Sequence, residues 1–266
     1  MTSTGIPAAG PVERLRQGAP ARLRAAGIHF ALSAVIFAGA MALFLLRWYP
    51  GFHFLADGGW QGTRIMVGVD LVLGPLLTLI IFNPFKARRL IVFDLCVIGA
   101  TQLGALSWAF YAIGSQHPVS VNYWDGKFYS MTAQPMKAER YPLSLLDELS
   151  PGRYPALVYV APPANGDERA RVGMIAIMEG LEEYQDPLRF KAFAPHWAEV
   201  KPRAIDPVKW GKEDAKFAAE LPGFVQGHGG KAEDYAFFPY EGRNGRCTLA
   251  FTAAGEPVDA LGCHAS

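Results

Sequence analysis

The residues of greatest chemical consequence in this chain are those that interrupt its apolar stretches at 28–46, 65–82 and 90–113: His29, Asp70, Asp94 and Gln102. An aspartate held in hydrocarbon costs at least ~2.5 kcal/mol, so each acid needs a partner or water. Counting ~1.5 Å per residue inward puts Asp94 about 6 Å from one edge, near His29, and Asp70 roughly 7.5 Å from the other, near Gln102. This spacing predicts that Asp94 pairs with His29 or reaches back to Arg89, that Asp70 bonds Gln102, and that the two acids do not meet. Two readings stay open: polar glue between the chain's own helices, or an acid offered to another protein's transmembrane helix. Gly74-Pro75 falls mid-stretch, where proline removes a backbone hydrogen bond and predicts a kink.

Catalytic sets do not emerge. His117, His196, His228 and His264 are scattered without the paired spacing of a metal site, and no Gly-x-Ser-x-Gly elbow or phosphate-cradling glycine loop occurs. Gly227-His228-Gly229-Gly230 reads as a flexible turn, and Glu179, Glu182 and Glu183 read as a solvated acidic face. The chain is therefore expected to be non-enzymatic, with no cofactor and no metal.

Length and charge organise the rest. Of 266 residues, 1–113 carry nine Lys/Arg against four Asp/Glu, and 114–266 carry sixteen against twenty. With a net charge of +1 and no concentrated basic face, nucleic acid is excluded as a partner. The three stretches are each long enough to cross a hydrocarbon core of roughly 30 Å. Arg14, Arg16, Arg22 and Arg24 precede the first, and Lys86, Arg88 and Arg89 fill the second connector, so both flanks are expected on the cytoplasmic side. Trp48, Tyr49, Phe52, Phe54 and Trp60 crowd the other connector, as aromatics do at headgroup level. The expected organisation is a disordered cytoplasmic tail (1–21), a three-helix transmembrane domain in the lipid bilayer of a bacterial inner membrane (22–113), and a periplasmic domain (114–266).

Within 114–266, Asp125-Gly126 separates two alternating runs and predicts a two-residue hairpin. A short helix is predicted at 143–149, central strands at 156–161 and 172–178, and a helix from Asp206-Pro207 through Leu221, followed by a glycine-rich loop at 223–231. Strands at 235–240, 246–252 and 258–263 complete a small α+β fold on a mostly antiparallel sheet. A hairpin centred on Gly255 sets Cys247 opposite Cys263 and predicts a disulfide, since an exported domain keeps such bonds.

The pattern as a whole resembles the TfpX/TfpZ family of type IV pilin accessory proteins. The likeness rests on Ala25-Ala26-Gly27-Ile28-His29, Trp48-Tyr49-Pro50, Gly68-Val69-Asp70-Leu71-Val72-Leu73-Gly74-Pro75-Leu76-Leu77-Thr78, Asn83-Pro84, Phe93-Asp94-Leu95 with Gln102-Leu103, His117-Pro118-Val119 and Trp124-Asp125-Gly126. It covers residues 22–130 and thins beyond them. The resemblance implies an inner-membrane protein that assists assembly or stability of a cognate major pilin, its expected partner, without catalysing a reaction. The intramembrane polar groups His29, Asp70, Asp94 and Gln102 are then candidate partner-binding residues. The competing class is a membrane-anchored sensor or ligand-binding protein with a periplasmic domain.

Overall fold

The computed structural model describes residues 11–265, with side chains from Arg16 onward. The first helix, Pro11–Leu43, runs on through a π-helical turn, Phe44–Trp48. Of the expected disordered tail, residues 1–10 lie outside the described residues. Residues 11–21 are helical instead, because Arg14 to Gln17 and Ala19 to Ala26 are mostly strong helix formers. Three helices, Arg16–Trp48, Gly59–Ile81 and Arg88–Gln116, are long and apolar enough to cross a membrane.

The chain divides into two compact units. One takes the residues up to Leu43 with Gln61–Ala112, and the other takes Phe44–Trp60 with everything from Ile113 onward. The connector after the first helix therefore belongs with the sheet-bearing unit, although its position between two apolar stretches had assigned it to the helices.

In the helix unit the second helix changes geometry at Val67–Leu73, where it becomes π-helical before resuming at Gly74–Ile81. Pro75 has no N–H to donate, and the Gly74 N–H bonds the Val69 carbonyl five residues back. The proline thus acts by widening the turn before it. Large apolar side chains such as Leu32, Val35, Ile65, Ile80, Leu103 and Trp108 point outward from this unit.

The second unit carries a seven-stranded sheet in the order β4-β3-β1-β2-β5-β6-β7. Its strands are β1 (Ser120–Trp124), β2 (Lys127–Met131), β3 (Ala156–Val160), β4 (Phe190–Ala192), β5 (Ala236–Glu241), β6 (Gly245–Phe251) and β7 (Pro257–Ala265). The sheet is mixed, which corrects the mostly antiparallel expectation: β1 pairs parallel with β3, and β2 parallel with β5. Long crossovers produce both parallel joins, and both sheet faces are covered, as parallel pairs require. On one face Val121, Tyr123, Phe128, Phe238 and Phe251 pack with Trp197. The other carries Val119, Met131 and Val158 at one end and Phe237 and Ala250, against Phe217, at the other.

Three local expectations are also revised. Residues 172–178 lie in a helix, Gly166–Glu179, rather than a strand. Asn165 caps it by accepting from the Glu168 N–H, and Met174, Ile177 and Met178 are exposed. The helix from Asp206 stops at Glu213. Asp214 then caps a second one, Ala215–His228, which runs through most of the expected glycine loop. The Asp125-Gly126 turn, with φ of 44° and 88°, joins β1 to β2. Cys247 and Cys263 form a disulfide with Cα atoms 4.2 Å apart.

Candidate functional site

Two polar clusters stand out, one in each unit. In the helix unit His29 sits between the other two helices. Its Nδ1–H donates to Thr78 Oγ1 (2.5 Å), whose hydroxyl donates to the Gly74 carbonyl (3.2 Å), and its Nε2 faces the side-chain amide of Gln102. All three helices are therefore tied through one imidazole. Gln102 lies against Gly74 so closely that a Cβ built on that glycine would fall 1.8 Å from its amide nitrogen. Glycine at 74 is thus required by the approach of Gln102, which is the reason for the Gly-Pro pair: one residue admits the amide, the other widens the turn.

This geometry redistributes the candidate residues. Gln102 meets His29 rather than Asp70, since its amide oxygen turns to the imidazole. Asp70 is buried inside the π-helical turn, 6% exposed. Asp94 pairs with Lys86 at 2.5 Å, not with His29 or Arg89. Depth counting assumed a uniform rise per residue, and the π-helical turn breaks that assumption by changing which residues share a level. Thr78 and Lys86 were missed as cluster members. A threonine one turn after Gly74 and a lysine eight residues before Asp94 were the available signals. The amide nitrogen of Gln102 is buried without a hydrogen-bond partner among the described residues, leaving the cluster a donor to spare.

The second cluster fixes the connector into the sheet unit. A single turn of helix, His53–Ala56, brings His53 and Asp57 against β5. Asp57, 1% exposed, accepts from the Tyr240 hydroxyl (2.7 Å), from His53 Nδ1–H (2.6 Å) and from the Arg243 backbone N–H (3.1 Å). The Asn244 N–H donates to the Ala56 carbonyl (2.8 Å). Burial, with the Asp57 charge beside it, pushes the Tyr240 hydroxyl well above its ordinary pKa, so it remains a donor. Ala56 belongs to the aromatic core and Phe52 packs against it. Nothing but the four-residue spacing of His53 and Asp57 could have signalled this cluster in advance.

The ends of the first and third helices are joined within the same unit. Buried Tyr49 donates to the Ile113 carbonyl (2.9 Å), and Trp48 stacks on His117 with ring centroids 5.6 Å apart. Elsewhere on this unit an open groove of about 740 Å³ is lined by Tyr129, Ser130, Thr132, Glu182, Tyr184 and Arg243 among others.

Three helices long and apolar enough to cross a membrane, tied by a half-buried polar cluster, and a disulfide-bearing mixed sheet define the class of this protein. Within that class three proteins of Dichelobacter nodosus are similar to this chain. The fimbrial assembly protein of serogroup I is 26% identical over 179 residues, 67% of this chain and 69% of that protein. Those of serogroup E1 and of serogroups C1 and C2 are each 35% identical over 95 residues, 36% of this chain. The match spans 37% of the E1 protein and 72% of the C1 and C2 protein. No protein-family model matches the chain. No solved structure is similar to it either. The chain belongs to the fimbrial assembly protein family.

Proposed function

We propose that this protein is a non-enzymatic accessory of type IV pilus assembly, of the TfpX/TfpZ kind, that holds a cognate major pilin in the bacterial inner membrane. The N-terminus and the 83–89 connector lie in the cytoplasm, and the sheet unit, with its docked connector, lies in the periplasm. The observation that carries this reading is the combination of fimbrial assembly relatives with a half-buried His29–Thr78–Gln102 cluster inside helices whose outer faces are apolar. A pilin subunit waits in the membrane as one apolar helix with an acid near its start, and a helix bundle with polar groups at fixed depths is suited to hold it. Gln102 offers a spare donor, and buried Asp70 offers an acceptor one turn away from Gly74.

In-membrane crosslinking from the second and third helices, followed by identification of the captured protein, tests the proposal. Capture of a major pilin is the expected result. Stable insertion of Asp70→Leu and Asp94→Leu variants with normal surface piliation would remove the intramembrane part of the reading.

A second reading, a membrane-anchored ligand-binding or sensor protein, draws on the groove of about 740 Å³ beside Tyr129 and Tyr184. Small-molecule retention in that groove with no pilin captured would favour it.

A further inference from the structure

We propose that Arg47, Arg153 and Tyr154 form a binding site for the phosphate of an anionic phospholipid headgroup, with His117 as part of its wall. These residues line a cavity of about 290 Å³, which Trp48 also borders. The Arg47 guanidinium lies 4.4 Å over the Tyr154 ring and is in no ion pair among the described residues. An aromatic face leaves the guanidinium's edge free, and that edge is the part that binds a phosphate through two parallel N–H bonds. Arg153 pairs with Glu256 at 3.2 Å, but that carboxylate is 68% exposed, so water already competes for it. The one acid lining the cavity, Asp147, is itself exposed.

His117 borders the arrangement. Its Nδ1–H donates to the Gly114 carbonyl, so Nε2 carries a lone pair and the ring walls the cavity without donating to the phosphate. Burial, assisted by the nearby charges of Arg47 and Lys137, pushes its pKa below the ordinary value, which favours the neutral ring. Burial also raises the Tyr154 hydroxyl to about 12, keeping it a hydrogen-bond donor.

Chain position selects a lipid over a free phosphate. Arg47 and Trp48 end the first apolar helix, and His117 directly follows the third, which ends at Gln116. Ends of membrane helices lie at headgroup depth, where tryptophan and tyrosine collect. Leu45 and Leu46, immediately before Arg47, are 44% and 80% exposed and offer apolar surface to an acyl chain.

The inference rests on the membrane-spanning part of the proposed function and is independent of the pilin. The test reconstitutes the full chain in phosphatidylcholine nanodiscs, titrates in phosphatidylglycerol, and measures lipid retention by native mass spectrometry. The wild type is expected to enrich phosphatidylglycerol, and Arg47→Ala with Arg153→Ala to lose at least about tenfold in that preference. Arg47→Lys, which keeps the charge but not the two-pronged bond, is expected to fall between them with an unchanged thermal midpoint. Equal retention by wild type and double variant, both incorporated, would overturn the site alone. Failure to incorporate would overturn the membrane reading and this site together. Enrichment abolished by millimolar inorganic phosphate, with equal phosphate binding in the absence of lipid, would overturn the assignment to a headgroup.

Discussion

The two units hold their main polar clusters in different ways. The sheet unit gives its most deeply buried charges several partners each. Arg189, 1% exposed, is met by Asp186, by the Ala161 and Glu183 carbonyls and by the face of Trp124. Asp57 accepts three hydrogen bonds. The helix unit instead gathers a few polar groups around His29, leaves the Gln102 amide nitrogen over, and turns its apolar side chains outward. A unit that closes on itself is built for stability. A unit with apolar faces outward and a polar group to spare is built to be completed by its surroundings.

The largest expected effect tests whether the connector is truly part of the closed unit. Asp57→Ala removes the acceptor for three donors and should destabilise the sheet unit by about 3 kcal/mol or more. Denaturant unfolding followed through Trp124, Trp197 and Trp210 would read it, and an unchanged midpoint would separate the connector from the core. Replacing Cys247 and Cys263 by serine opens a link across 16 residues of chain and should cost about 3 kcal/mol in the same assay.

Effects in the helix unit should be smaller. Gly74→Val drives Gln102 off its seat, with an expected loss of about 1–3 kcal/mol from overpacking, measured as earlier loss of helicity on titration with sodium dodecyl sulfate. His29→Leu removes interhelical hydrogen bonds that average about 0.6 kcal/mol each in membrane proteins, so the same titration should barely shift. A large shift there would mean that the helix unit, too, depends on its own polar closure.

The smallest effect is one of pH. His117 has a folded pKa below its ordinary value, mainly through burial. Its contribution to stability is therefore present above the ordinary histidine range and lost as pH falls below it, because the unfolded chain takes up the proton first. A shallow decline in thermal midpoint between pH 7.5 and 5.5, flattened in His117→Gln, is the expected outcome.

What could be read in advance was mostly local. Asp125-Gly126 and the Cys247–Cys263 hairpin depend on a few adjacent residues, and both are found where their turns place them. The three apolar helices follow from length and hydropathy alone. Residues 172–178 misled because a short apolar run has no period of its own. The true signal, an Asn165 cap with Asp167 and Glu168 in the first turn, lay several residues upstream. The mixed sheet was unreadable because strand order is decided by crossovers such as the one separating β2 from β5. The contact of Gln102 with Gly74 escaped because a π-helical turn shifts every level beyond it, and the Asp57–Tyr240 bond because its partners are 183 residues apart.

That last separation carries a consequence for how the molecule is made. Residues 52–57 emerge from the ribosome long before the strand that receives them, and must wait while some 180 further residues are translated and the sheet is laid down. Contacts between segments so distant carry a large loop-closure cost, so the docking of residues 52–57 on β5 is expected to come late in folding. An excised fragment beginning at residue 114 would lack these residues, and would present Tyr240, Arg243 and Asn244 to solvent with nothing to bind them. Studies of the sheet region in isolation would therefore need residues 44–60 supplied in trans or grafted back through a linker.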